Sequence, residues 1–338
     1  DIATVLSMSS TQKKNAAESV STLGGFLAGS MAACAAVTFT NPIELIKTRM
    51  QLQGELSKVD TNVPKLYKNP LQAFGLIYKR EGIRGLQQGL SCAYLNQIAL
   101  NGCRLGLYEP SRYYISKFFD SNNFDEEKGP IKQKLWVNLI SGSISGSIGA
   151  VIASPVFLIK TRMQSYSSAA AMNAKETAVN IGEQTYYFGT WDGLKKVYKG
   201  EGLAGFFRGM DAAVMRTSMG SAAQLPTYNY AKRFLLKNDI VKDNSFGLHL
   251  LASSAAGLAV AIVMNPGDVI LTRIYNQKGN LYKGPVDCFV KTVKAEGVSA
   301  LYKGFWAQLL RIGPHSILCL MFMEHTMKLV QGVELRFK

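Results

Sequence analysis

The sequence predicts an all-α membrane protein: six transmembrane helices in three pseudo-threefold repeats, each with a short interfacial helix. Three observations predict it. First, Thr40-Asn-Pro-Ile-Glu-Leu-Ile-Lys-Thr-Arg-Met-Gln51 recurs as Ala153-Ser-Pro-Val-Phe-Leu-Ile-Lys-Thr-Arg-Met-Gln164 and, more loosely, as Met264-Asn-Pro-Gly-Asp-Val-Ile-Leu-Thr-Arg-Ile-Tyr275. The prolines stand 113 and 111 residues apart, and self-similarity at a near-constant period marks a repeat architecture. Second, a nine-residue landmark from glutamate to glycine repeats in step: Glu81 to Gly89, Glu201 to Gly209 and Glu296 to Gly304. Third, an uncharged run leads into each proline motif: Leu23–Ile43, Leu135–Ile159 and Phe246–Gly267. Each is long enough to cross roughly 30 Å of hydrocarbon.

Residues 1–22 are a polar segment with no apolar signal core and no arginine, which fits neither a secretory signal nor an arginine-rich transit peptide. The repeats then cover 23–128, 129–241 and 242–338. Each uncharged run holds a small-x-x-x-small pair at one offset: Gly29/Ala33, Gly142/Gly146 and Ser253/Gly257. Small residues so spaced let membrane helices approach closely. A basic loop follows each proline motif, then an amphipathic stretch: Pro70–Lys79, Trp191–Lys199 and Pro285–Lys294. These read as helices lying at the interface. The Ser/Ala-rich loop 165–184 is expected to be mobile. The second run of each repeat, Leu90–Leu107, Met210–Tyr228 and Phe305–Met323, contains polar or charged residues. Six spans put both termini on one side, and lysine and arginine concentrate in the loops joining spans 1–2, 3–4 and 5–6.

The 338 residues are 47% hydrophobic and 18% charged, with 38 Lys and Arg against 23 Asp and Glu. The net charge of +15 sits mainly in loops between apolar runs. Anionic lipid and an anionic substrate account for that placement; nucleic acid does not, since no reader motif is present. Cys34, Cys92, Cys103, Cys288 and Cys319 are odd in number and unclustered, so neither a disulfide framework nor a zinc site is implied. No nucleophile–base set, phosphate loop or metal cluster points to an enzyme or a cofactor.

The proline motifs place acids or their replacements at Glu44, Phe157 and Asp268, and bases or their replacements at Lys47, Lys160 and Leu271. If each acid meets the base of the next repeat, the pairs are Glu44–Lys160, Asp268–Lys47 and the apolar Phe157–Leu271. The opposite rotation leaves charges facing apolar groups, which is costly in a desolvated site. A second set begins nineteen residues past each landmark glycine, at Tyr108, Tyr228 and Met323, and holds Glu109 and Arg112, Asn229 and Lys232, Glu324 and Met327. The same rotation gives Glu109–Lys232, Glu324–Arg112 and Asn229–Met327, again with the two defective positions together.

Asn96, Arg216 and Arg311 each stand seven residues past their landmark glycine, roughly 10 Å into the membrane at one depth. A charge there usually faces a wet cavity and marks a pathway. Asn96 taken alone reads as a helix–helix hydrogen bond. Two arginines at one depth suit a dianion, since each guanidinium can hold an acidic group bidentately. Neither has an acidic neighbour one turn away, so the pair is expected to lack a local counter-ion. Gln97 adds a donor. Arg104 is offset from Asn96 by about 80° on the helical wheel and would widen the positive funnel. His315 stands one turn past Arg311; it reads either as a packed histidine or as a proton-coupling group.

Together the Pro-x-acid-x-x-base motifs and the landmarks resemble the mitochondrial carrier family, over nearly the whole chain. The resemblance implies that the signature closes the first helix of each repeat and that the interfacial helices face the matrix. It implies an inner-membrane location with both termini in the intermembrane space, and a monomer. The two charge sets become a matrix gate and a cytoplasmic gate, formed alternately. Gln51, Gln164 and Tyr275 would brace the matrix pairs by hydrogen bonds, and the starts of the interfacial helices would hold cardiolipin. Asn96, Arg216 and Arg311 become substrate contact points. Thr217 beside Arg216 resembles the Arg-polar pair of keto-acid and dicarboxylate carriers. Phe157, Leu271, the stretch from Asp268 to Gln277 and that from Tyr282 to Cys288 resemble the branch of the family that takes up oxaloacetate, sulfate, malonate and isopropylmalate with protons. A dicarboxylate exchanger of other specificity, or an uncoupling-type proton carrier, is the competing expectation.

Overall fold

A proline inside a helix removes one backbone donor and strains the preceding turn. Here the chain accommodates that loss and continues. In the computed structural model, which describes residues 22–56, 66–119, 124–125, 129–130, 135–167, 184–238, 246–277 and 279–337, α1 covers Thr22–Leu52 with Pro42 in its interior. Gln87 Nε2 donates at 2.9 Å to Thr38 O, the carbonyl that Pro42 cannot serve. The expectation that the signature closes the first helix is thus corrected: the uncharged run ends near the proline, but the helix runs on for ten residues, past the charged groups. The same holds for α4 and α7 below.

After α1 come α2 (Pro70–Leu86), α3 (Leu90–Phe119) and a two-residue antiparallel pair, β1 (Phe124–Asp125) with β2 (Gly129–Pro130). Then follow α4 (Leu135–Ser165), α5 (Thr190–Phe206), α6 (Met210–Lys237), α7 (Phe246–Asn276), α8 (Pro285–Glu296), a 3₁₀ turn (Val298–Tyr302) and α9 (Phe305–Phe337). The architecture is the expected all-α one. Helices α1, α4 and α7 are long and apolar enough to cross a membrane by composition alone. Helices α3, α6 and α9 have the length, 30, 28 and 33 residues, but carry the polar residues that face inward. On α4, Ile140, Ile144, Ile148 and Ile152 form an exposed stripe at four-residue steps, which lipid would cover. The expected mobile loop falls largely on 168–183, outside the described residues.

The six long helices close into a ring in the order α1, α3, α4, α6, α7, α9 and back to α1. Small residues serve the contacts within a repeat: a Cβ on Gly146 would meet Thr217 of α6, and one on Gly257 would meet Ile312 of α9. Past the prolines, α1, α4 and α7 also touch one another. Among the described residues no comparable contact joins α3, α6 and α9. The ring is therefore shut at the proline end and splayed at the other.

The shut end is also where the apolar core lies. One buried cluster joins Leu158 and Ile159 of α4, Ile270 and Ile274 of α7, and Val197 of α5. A second joins Leu45 and Leu52 of α1 to Ile77 of α2 and Ala307 of α9. The landmark glycines seat each repeat on the next. Gly209 has φ +79°, and a Cβ there would stand 2.7 Å from Ile274 Cγ2. Gly202, with φ 67° and ψ −167°, makes the kink inside α5; that region of backbone space is essentially open only to glycine.

Candidate functional site

Glu44, Lys47 and their counterparts lie two and five residues past the prolines, where α1, α4 and α7 converge. Lys160 Nζ stands 2.7 Å from Glu44 Oε1, and Lys47 Nζ stands 2.6 Å from Asp268 Oδ2. Both pairs cross from one repeat to the next in the rotation that leaves no charge facing an apolar group. Phe157 fills the third corner. It packs on the cluster containing Leu271, its ring centroid lies 5.5 Å from that of Tyr275, and Lys160 Nζ sits 5.6 Å from its centroid. That corner is closed by an aromatic contact and a cation–π contact in place of an ion pair.

Gln51, Gln164 and Tyr275 act differently from the expectation. None of their side chains hydrogen-bonds a member of the Glu44–Lys160 or Asp268–Lys47 pair. Gln51 Oε1 accepts from Thr272 Oγ1 at 2.9 Å, tying α1 to α7. Gln164 Oε1 accepts from Thr48 Oγ1 at 3.2 Å, and its Nε2 donates to Asn41 Oδ1 at 3.1 Å, tying α4 to α1. Tyr275 shares a 3.0 Å hydrogen bond with Ser154 and ties α7 to α4. They clamp helix to helix beside the pairs.

Inside the ring, just above the shut end, a cavity is lined by Glu44, Lys47, Phe157, Arg216, Asp268, Leu271 and Arg311, among others. The expectation of two cations without counter-ions needs correction. Arg216 Nε donates to Asp268 Oδ1, so Asp268 is shared between Arg216 and Lys47. The acid that neutralises Arg216 comes from α7, far along the chain and near in space. Arg311 is different: its Nε is buried with no hydrogen-bond partner, and it feels the charge of Glu44 without a hydrogen bond to it. Lys47, Lys160, Arg216 and Arg311 together oppose Glu44 and Asp268, four positive against two negative, a net +2 at one place.

The remaining contact candidates divide. Asn96 is buried, and its Oδ1 has no partner. Gln97 is half-buried. Thr217 turns its hydroxyl to Ala213 O of its own helix at 2.8 Å, and its methyl lies against Gly146. It therefore packs α6 on α4 and does not offer a hydroxyl to the cavity. His315 Nδ1 and Thr40 Oγ1 are 3.1 Å apart, so α9 and α1 meet there. The side chain of Arg104 lies outside the described residues, as does that of Glu109.

At the splayed end, Arg112, Asn229, Lys232 and Met327 are half-buried and Glu324 is exposed. No ion pair joins Lys232 or Glu324 to another described residue.

The sequence reading passed over one set of contacts. Arg49 grips Glu81 with two hydrogen bonds of 2.8 and 2.7 Å, Arg162 grips Glu201, and Arg273 grips Glu296 at 2.6 and 2.8 Å. These bidentate pairs fix each interfacial helix to the end of its own long helix. Both members were visible in the motifs, three times each. Their separations of 32, 39 and 23 residues hide the pairing from any fixed-spacing pattern.

Comparison with known proteins places these features. The family model described as mitochondrial carrier protein matches residues 18–118, 132–239 and 242–334. The mitochondrial oxaloacetate transport protein of Saccharomyces cerevisiae is 57% identical over 324 residues, covering 96% of this chain and 95% of that protein. The protein of the same name from Schizosaccharomyces pombe is 48% identical over 308 residues, 91% of each chain. The mitochondrial citrate transporter E of Aspergillus niger is 45% identical over 316 residues, covering 94% and 96%.

Proposed function

The chain belongs to the mitochondrial carrier protein family, and from that membership we propose that it moves oxaloacetate and related small dianions, among them sulfate, malonate and isopropylmalate, across the mitochondrial inner membrane. It is a transporter of a small anion and not an enzyme. The observation that carries the choice of a dianion is the net charge of +2 at the floor of the cavity. Buried charge without compensation is unfavourable, and a ligand of charge −2 offsets it. Arg311, whose Nε has no partner, takes one acidic group of the substrate. Arg216 takes the other while it stays in reach of Asp268. Asn96, with an unpartnered Oδ1 and an amide donor beside it, reads the keto or hydroxyl oxygen.

Transport proceeds by alternating access. In this reading the proline end is the matrix gate and faces the matrix, the splayed end faces the intermembrane space, and both termini lie on that side. Glu109–Lys232 and Glu324–Arg112 form when the matrix pairs part. Uptake is coupled to protons, and His315, which touches Thr40 one turn from Arg311, is the group placed to take part. The protein works as a monomer, since one chain encloses the cavity. Cardiolipin sits at the starts of α5 and α8, whose N-cap residues Gly189 and Gly284 supply no side-chain cap and leave helix N–H groups for phosphate.

Reconstitution into liposomes tests the reading. Radiolabelled oxaloacetate should enter at a saturable rate, with competition by sulfate and malonate. Adenine nucleotides and monocarboxylates should not compete. Preference for a monoanion or a nucleotide would contradict the charge argument.

A further inference from the structure

The shut end has three seams, and they are not built alike. At the seam from repeat 1 to repeat 2, Arg49 Nε donates to Gln164 O at 3.1 Å and its NH2 donates to Tyr166 O at 2.6 Å. At the seam from repeat 2 to repeat 3, Arg162 Nε donates to Tyr275 O at 2.9 Å and its NH2 to Gln277 O at 3.2 Å. One arginine thus serves both purposes, gripping its own glutamate and holding the next repeat. By the same register Arg273 should hold Gln51 O and Gln53 O. It does not: Arg273 Nε is buried without a partner. Lys303 Nζ takes Gln53 O instead, at 2.7 Å.

A short segment makes up the difference. Gly54, with φ +67°, turns the chain past α1. Glu55 Oε1 accepts from Tyr282 OH at 2.8 Å, and Leu56 N donates to Glu296 Oε1 at 2.6 Å. Leu56 itself has φ 53°, the one non-glycine residue with positive φ among those described. A bulky side chain rarely holds that conformation unless its surroundings impose it. Every imposed contact here comes from repeat 3, while Gln53 Oε1 keeps the segment tied to repeat 1 through Tyr67 N at 2.9 Å.

We propose that Gln53–Leu56 is a latch that holds the seam between repeats 3 and 1 shut, with Tyr282 and Lys303 as its catch. At the other two seams an arginine held by its own glutamate makes the cross-repeat bonds. This one relies on hydrogen bonds to a strained segment, and it relaxes when they part. The seam between repeats 3 and 1 therefore opens most readily, and Tyr282 and Glu55 set how often it opens.

Amide hydrogen exchange on the full-length reconstituted protein tests this without depending on which anion is carried. Tyr282→Phe removes one hydroxyl and should speed exchange of the peptide carrying Leu56 about fivefold, the effect of losing one hydrogen bond. Glu55→Ala should do the same. Glu55→Gln keeps an oxygen acceptor for Tyr282 and should exchange like the wild type. The control is Tyr187→Phe: Tyr187 is the repeat-2 counterpart of Tyr282, and its hydroxyl meets Arg162 within its own repeat. It should leave Leu56 unchanged. For uptake, Tyr282→Phe should alter kcat and not KM. Unchanged exchange at Leu56 in Tyr282→Phe, an equal rise in Tyr187→Phe, or Glu55→Gln behaving like Glu55→Ala would each overturn the latch.

Discussion

Arg216 and Lys47 hold the two oxygens of one carboxylate, Asp268: Arg216 Nε at Oδ1 and Lys47 Nζ at Oδ2. A residue of the proposed substrate site is thereby joined to a residue of the proposed matrix gate. Glu44 makes no such second hydrogen bond: Lys160 is its ion-pair partner, and Arg311 acts on it through space.

That difference separates two otherwise equivalent neutralisations. Glu44→Gln should slow transport and leave KM near the wild-type value. Asp268→Asn should slow transport and also shift KM, because Arg216 loses its partner. It should destabilise the fold more, since two buried cations are stranded in place of one; each costs about 3 kcal/mol. Initial-rate kinetics and thermal unfolding of the two variants decide the matter.

The corner closed by Phe157 predicts a strong coupling. Phe157→Asp places a new carboxylate within reach of Lys160, where it competes with Glu44 and breaks the Tyr275 contact. Phe157→Asp with Leu271→Lys supplies the missing base and should recover activity. A double-mutant cycle should show a coupling of about 1–3 kcal/mol. A double variant no better than the worse single one would show that the two positions do not meet.

Gly209→Ala should cost about 2 kcal/mol, from its φ of +79° and the Ile274 methyl 2.7 Å from the new Cβ. Gly200→Ala, where the new Cβ meets nothing within 4 Å, should be neutral or slightly stabilising. Thermal unfolding of the pair measures the seating of repeat 2 on repeat 3.

Burial raises the Glu55 carboxyl above the ordinary glutamate value of 4.5, with Glu296 adding to the effect and Arg273, Tyr282 and Lys303 opposing it. A raised carboxyl binds its proton more tightly in the folded state. Its contribution to stability is present below the unfolded pKa and is lost as pH rises through the folded one. The difference in unfolding temperature between wild type and Glu55→Gln should therefore move against the wild type as pH climbs above 4.5. A pH-independent difference would mean that Glu55 is not perturbed.

The repeats, the order of elements and the rotation of the pairs at the proline end could be read from the sequence because they depend on periodicity and on the matching defects Phe157 and Leu271. Three things could not. Helix α1 passes through Pro42 with Thr38 O served by Gln87, 45 residues past the proline, and nothing local announces it. Arg216 finds Asp268 from another helix, so a search for neighbours one turn away could not see its counter-ion. Thr217 lost its expected role to helix packing, because its hydroxyl turns back on Ala213 O as threonine in a helix often does.

The central claim is that Arg311 is the unengaged cation of a site with net charge +2. Uptake of radiolabelled oxaloacetate by proteoliposomes containing Arg311→Ala tests it most directly, with Arg311→Lys beside it. The account predicts a loss of about a hundredfold or more for alanine, the worth of two charge-assisted hydrogen bonds. It predicts only slight rescue by lysine, which keeps the charge and loses the planar fork, and an unfolding temperature close to wild type, since no ion pair is broken. Uptake by Arg311→Ala near the wild-type rate would contradict it.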